Sequence, residues 1–191
     1  LSLSVTPPTP PTPPTPPTPT ALAAPVDADD HVVGRGDAPV TLVVYGDYEC
    51  PYTLLLMPVV TGLLNHFGDR LRFVFRHFPL DKHPHAALAA EAAESAAAQG
   101  RFWDMHLALF AGQAALEPDD LARYAADIGL DVARFRADLE AHRHRRRVER
   151  DLESGRRSGV GGTPTEFLNG ALYGGEDRLT SLTRAIEALL S

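Results

Sequence analysis

The chain has one cysteine, Cys50, among 191 residues. An internal disulfide and a cysteine-built metal cage are therefore both excluded, and the redox compartment cannot be read from pairing. Basic residues are also scarce, with 18 Lys and Arg against 25 Asp and Glu for a formal charge of -7. A general nucleic-acid binder needs a cationic surplus to neutralise phosphate, so no nucleic-acid partner is expected. Long apolar runs are missing too. The most apolar stretch, LLLMPVVTGLL at 54–64, is interrupted by Pro58, Thr61 and Gly62 and is too short to span a bilayer, so this chain alone is expected to be soluble. It starts at Leu1, without a methionine and without the charged and apolar regions of a secretory leader. We therefore expect a piece of something longer, or a processed form.

An apolar content of 44% suits one well-packed domain with a tail. The tail contains TPPTPPTPPTPPTPT at 6–20. Proline fixes φ and removes backbone donors, so this repeat is expected to extend as polyproline II and act as a semi-rigid spacer. We expect a linker over 1–29 and a domain over 30–191.

After a lead-in, DDHVVGRGDAP, the run VTLVVYG at 40–46 reads as a strand buried on both faces. From Pro51 the pattern turns helical and reaches a stop signal at Gly68. LRFVFRHFPL at 71–80 reads as a second strand, which implies a parallel β-α-β unit. An alanine-rich helical stretch follows from about 84 to 152, with breaks expected at Gln99-Gly100, near Pro118, at Gly129-Leu130 and around 141. GVGGTPTEFLNG and ALYGG read as two strands joined by a turn at Asn169-Gly170, and a last amphipathic helix runs from about Asp177 to Leu190.

In GDYECPYTLLLMP, Cys50 ends a strand-to-helix turn and Pro51 holds the first helical position. A thiol there faces unpaired N–H groups and the positive end of the helix dipole, which favour thiolate over thiol. The plain alternative is a buried structural thiol. With Asp47 and Glu49 beside it, Cys50 is expected to be at least partly exposed.

Three stretches carry a likeness: DHVVGRGDAPVTLVVYGDYECPY, FRHFPLDKHPHAALAAEAAESAAAQGRFWDMH and GVGGTPTEFLNG. Together and in this order they resemble the DsbA-like disulfide oxidoreductases. The resemblance implies an α/β thioredoxin fold, β-α-β then a helical insertion then β-β-α. It also implies a catalytic Cys50, with Pro51 beside it, and a cis-proline loop at Thr163-Pro164 that offers backbone to a substrate near Tyr52. Thr53 departs from the pattern, because a dithiol member has its second cysteine there. Without a resolving thiol, the chemistry left is mixed-disulfide exchange completed by an outside thiol such as glutathione, and Thr53 could donate its hydroxyl to the Cys50 sulfur.

This version of the motif is also similar to the soluble domain fused behind NhaA-type sodium/proton antiporters. That likeness implies a membrane transporter segment upstream of Leu1 and a place on the cytoplasmic face. Three functions remain open: a monothiol redox domain whose partner is a thiol- or disulfide-bearing protein or glutathione, a redox-inactive docking module of a transporter, and a glutathione-dependent isomerase or transferase. The last needs a small-molecule pocket between sheet and insert.

Other features point less far. His83 with His85, and His142 with His144, have i,i+2 spacing, which does not put two ligands on one helix face, so no metal is expected. No local signature supports a Cys-His hydrolase. HRHRRRVER at 142–150 reads as a solvated helix face, with contact to anionic lipid as the functional alternative. Phe102 and Trp103 read as core anchors of the helical stretch.

Overall fold

The structure is a computed structural model that describes residues 21–175 and 178–191. The Pro/Thr repeat at 6–20 lies outside the described residues. The apolar run VTLVVYG becomes β2 (Val40–Gly46), buried over its whole length. β2 pairs in parallel with β3 (Leu71–His77), from Val40 opposite Leu71 to Gly46 opposite His77. Layers on both faces explain why neither strand alternates apolar with polar.

The crossover between them is α1 (Pro51–Phe67), which starts on a proline and ends at Gly68, where the chain takes φ 53°. Leu56, Val60, Leu63 and Phe67 bury one stripe of α1 against β3 and the last helix.

Five helices lie between β3 and the next strand: α2 (Ala86–Ala97), α3 (Phe102–Ala111), α4 (Pro118–Asp127), α5 (Val132–Glu140) and α6 (Arg145–Arg157). Each expected break falls in a joint between two of them. α2 packs against all four of the others, and its alanines let their backbones come close. Phe102 is buried at the head of α3, while Trp103 is partly buried against the core.

β4 (Thr165–Leu168) and β5 (Ala171–Tyr173) form an antiparallel hairpin. Its two turn residues, Asn169 and Gly170, have φ 46° and 82°, the left-handed pair that Asn-Gly accepts cheaply. α7 (Arg178–Leu190) closes the chain against α1. The fold is a thioredoxin-like α/β sheet, in the order β1-β3-β2-β4-β5, with a helical insertion.

Two readings of the N-terminal side need correction. His31–Val33, taken as lead-in, is β1, paired antiparallel with β3. Residues 21–29, taken as linker, pack on the domain. Ala21 bridges to Ala171, the Leu22 amide donates to the Gly170 carbonyl at 2.8 Å, and Arg76 donates to the carbonyls of Ala24 and Pro25. Arg76 also forms a two-armed, fully buried ion pair with Asp30 at 2.8 Å on each arm.

The basic stretch at 142–150 is a solvated face, as expected, with Arg143, Arg145, Arg146, Glu149 and Arg150 exposed, and most of its arginines are also paired. Arg143 pairs with Asp138, Arg145 lies 3.8 Å from Glu91, Arg147 pairs with Asp151, and Arg150 pairs with Asp27 and Asp29. Its charge holds the insertion together and fastens residues 27–29.

Candidate functional site

Cys50 caps the N-terminus of α1, directly after the end of β2. The turn that delivers it is internally bonded: the Cys50 amide donates to the Asp47 carbonyl, and the amides of Thr53 and Leu54 donate to the Cys50 carbonyl. Gly46 must be small, because a Cβ there would run into the Phe75 ring and the Thr53 methyl. Opposite the cysteine is the loop before β4, in which the Thr163-Pro164 peptide is cis. Cys50 Sγ donates to the Thr163 carbonyl at 3.2 Å. Cys50, Pro51, Thr53, Thr163 and Pro164 thus meet at one end of the sheet, with Tyr52 62% exposed beside them.

The expected exposure of Cys50 is overturned: the residue is 2% exposed. Local sequence argues for an open helix end, but the covering groups come from far along the chain. Thr163 closes on the sulfur, and the Gln113 side chain donates to the carbonyls of Tyr48 and Cys50 at 2.8 and 3.1 Å. Thr53 is fully buried, and its Oγ1 accepts a long bond from the Asp47 amide at 3.4 Å. The hydrogen bond of the sulfur therefore goes to Thr163, while the Thr53 hydroxyl braces the turn.

Residues 27–188 match the family described as Thioredoxin. The chain belongs to the thioredoxin family. It is 25% identical to BdbD from Bacillus subtilis, solved in its oxidised form, with a TM-score of 0.77 over 83% of this chain and 91% of that one. It is 28% identical to a thioredoxin-like oxidoreductase from Silicibacter pomeroyi, with a TM-score of 0.75 over 85% and 92% of the two chains. Among curated relatives it is 47% identical to the Na(+)/H(+) antiporter NhaA 1 of Salinispora arenicola over 86% of this chain. It is 46% identical to the NhaA of Herminiimonas arsenicoxydans over 87% of this chain. The chain spans only 26% and 27% of those two relatives. No helix among the described residues is long and apolar enough to cross a membrane.

Around the cysteine of this thioredoxin-family domain lies a set of groups that sequence reasoning did not place there. Asp47 is buried. Its carboxylate accepts from the amides of Glu49 and Leu80 at 2.7 and 2.9 Å, and faces His83 Nδ1 at 2.7 Å. Glu49 takes the His85 amide and faces His85 Nδ1, while His85 Nε2 faces Glu117 at 3.1 Å. Partial burial pushes the Glu49 carboxyl up, but the hydrogen bonds from His85 together with its charge outweigh this and hold the group below its ordinary range. The signal that could have revealed these pairs is the matched i,i+2 spacing of Asp47 and Glu49 with His83 and His85. Two turns lying side by side, one closed by the Cys50 amide on the Asp47 carbonyl and one by the Ala86 amide on the His83 carbonyl, bring these pairs together.

Beneath the turn, Tyr48 is buried against Phe75 and Phe110 with its hydroxyl 3.0 Å from His106 Nδ1. Burial pushes the Tyr48 hydroxyl well above 10 and pushes His106 down to about 3. The pair therefore stays neutral, and the tyrosine O–H can donate to the unprotonated ring nitrogen.

One cluster bears on the expectation of no metal. His31, His77 and Glu94 bring three possible ligand atoms within 4.8 Å of one another. The two Nε2 atoms lie 2.8 and 2.9 Å from the same Glu94 oxygen, which are hydrogen-bond distances. Arg147 already stands 3.8 Å from that oxygen. His77 Nδ1 is buried without a partner, so a metal on Nε2 would strand an N–H with no acceptor. The cluster fits two imidazoles donating to one carboxylate better than it fits a cation.

Proposed function

We propose that this domain is a monothiol thiol–disulfide exchange module belonging to a sodium/proton antiporter of the NhaA kind. The observation that carries the chemistry is Cys50 at the N-terminus of α1 with its sulfur against the Thr163-Pro164 loop. The Cys50 thiolate attacks one sulfur of a client disulfide, forming a mixed disulfide as the client's other sulfur leaves as thiolate and takes up the proton that Cys50 gave up. An outside thiolate, for which we propose glutathione, then attacks the client-side sulfur, and Cys50 leaves as thiolate. Tyr52 and the backbone of the Thr163-Pro164 loop orient the client. No internal thiol can complete the cycle, because Thr53 stands where a second cysteine would.

The antiporter assignment rests on relatives of that name that continue well beyond this region. A cytoplasmic location fits the cycle, because a reducing compartment supplies the resolving thiol. A groove of about 570 Å³ between the loop after β3, α2 and α6 is lined by Leu80, Leu88, Arg145 and Val148, and not by Cys50. The burial of Cys50 favours one rival, a docking module that keeps the fold without turnover.

Incubating the native chain with oxidised glutathione and reading intact mass separates the two. A dithiothreitol-reversible adduct that is absent from Cys50→Ser is expected. A thiol that reacts only after denaturation would overturn the exchange reading and leave the docking module.

A further inference from the structure

His85 sits in the loop between β3 and α2, and both of its ring nitrogens face carboxylates. Nδ1 is 3.0 Å from Glu49 Oε1, and Nε2 is 3.1 Å from Glu117 Oε1. A neutral imidazole has one N–H, so only the protonated ring donates to both. The two carboxylates belong to different parts of the site. Glu49 adjoins Cys50, and Glu117 caps α4 at the end of the loop 112–117. The same loop carries Gln113, which donates to the Cys50 carbonyl at 3.1 Å.

We propose that His85 is a positioning residue that, as an imidazolium, clasps the 112–117 loop to the Cys50 turn, and that loss of its proton loosens this loop and opens the way to Cys50. This deepens the exchange reading and rests on it, because it names what governs access to the same sulfur. When the ring is neutral, Glu49 keeps the His85 amide at 2.7 Å as a second hold. Glu117 is 69% exposed and has water as an alternative partner, so its contact is the one given up. Among the described residues, the charged groups facing the ring are Glu49 from the turn and Glu117 from the head of α4. Two residues away on its own loop, His83 is engaged by Asp47.

The bond to Glu49, followed by that to Glu117, raises the His85 pKa above its ordinary 6.5. The clasp is therefore complete below about 6.5 and is lost as pH rises through the raised value.

The test alkylates the 191-residue chain with iodoacetamide, reads intact mass and compares wild type with Glu117→Gln. Cys50 is the only thiol, so every adduct reports it. The variant should react about two- to fivefold faster than wild type near pH 5.5, a ratio of the size an exposed ion pair supports. The ratio should fall toward one near pH 8.5, where the wild-type ring is neutral as well. Removing a negative charge could by itself speed alkylation, but such an effect would not change across the His85 titration. In a histidine-ring NMR titration, the His85 midpoint should drop in Glu117→Gln. A rate ratio that does not vary with pH, or a His85 midpoint that stays put, would overturn the clasp. Glutathione adduct formation on wild type judges the exchange reading separately, because iodoacetamide needs only access to the sulfur and not a disulfide partner.

Discussion

Replacing Asp30 with asparagine should unfold this domain more readily than any single surface change, even though Asp30 lies at the edge of a segment that reads as linker. The Arg76 guanidinium is buried, and its five N–H donors are all matched. Two go to the Asp30 carboxylate, and one each goes to the Ala24 carbonyl, the Pro25 carbonyl and the Tyr45 hydroxyl. The side chains of Arg76 and Asp30 are 3% and 1% exposed, so solvent screens them little. The asparagine side chain would be isosteric but uncharged, and its NH₂ group would face a guanidinium that offers no acceptor.

Leaving one buried charge uncompensated costs about 3–5 kcal/mol, against about 5–15 kcal/mol of total stability for a domain. Urea unfolding followed through the fluorescence of Trp103, which packs against Phe73 and Phe102, reads this loss directly. The matching control is Asp29→Asn. Its pair with Arg150 is 71% and 43% exposed and should be worth about 0–1 kcal/mol. If Asp30→Asn costs under about 1 kcal/mol, the segment 21–30 is not part of the folding unit and the buried-pair reasoning fails.

Two further expectations bear on the site and its support. Thr53→Cys should form an intramolecular disulfide with Cys50, so that oxidised glutathione yields a protein two hydrogens lighter in place of a stable adduct; persistence of the wild-type adduct by intact mass would refute this. Glu94→Gln should destabilise the domain at neutral pH by about 1.5–3 kcal/mol, the range for hydrogen bonds to a charged group. Burial raises the Glu94 pKa, but its bonds to His31 and His77 outweigh that and hold it far below its ordinary 4.5, so this contribution is complete above about 4.5 and is lost as pH falls below it. The gap in urea midpoint between wild type and variant should accordingly narrow from pH 7 to pH 3, and an unchanged gap would contradict the assignment.

The central β-α-β unit was legible because each piece carries its own period. VTLVVYG is apolar throughout, α1 begins at Pro51 and stops at a glycine, and Asn169-Gly170 supplies the backbone angles its hairpin demands. β1 was not legible. Three residues are too few to show a period, and its pairing with β3 spans about 40 positions of sequence. The basic helix is the solvated face its sequence suggests, but its ion pairs were not legible because the partners Glu91, Asp138, Asp27 and Asp29 are scattered over the chain. His83 and His85 were weighed only as metal ligands on a helix. They stand in a turn before α2, where they meet Asp47 and Glu49. Burial of Cys50 depends on Gln113 and Thr163, so no local reading could have found it.

That burial changes what a lone cysteine at a helix N-terminus means. The Cys50 sulfur donates to the Thr163 carbonyl at 3.2 Å, a contact that an incoming sulfur would have to displace. A glutathione or client sulfur bonded to Cys50 also needs room that a residue 2% exposed does not have. An adduct and the closed site would therefore exclude one another, and anything that stabilises closure would lower the equilibrium stability of the adduct. Thr53 belongs to the closed state, since its hydroxyl braces the turn through the Asp47 amide while Asp47 holds Glu49, Leu80 and His83. In a dithiol protein a second cysteine would expel the adduct from within. Under the proposed exchange, release would wait for an outside thiol, and an adduct on Cys50 would keep the site open for as long as it lasted.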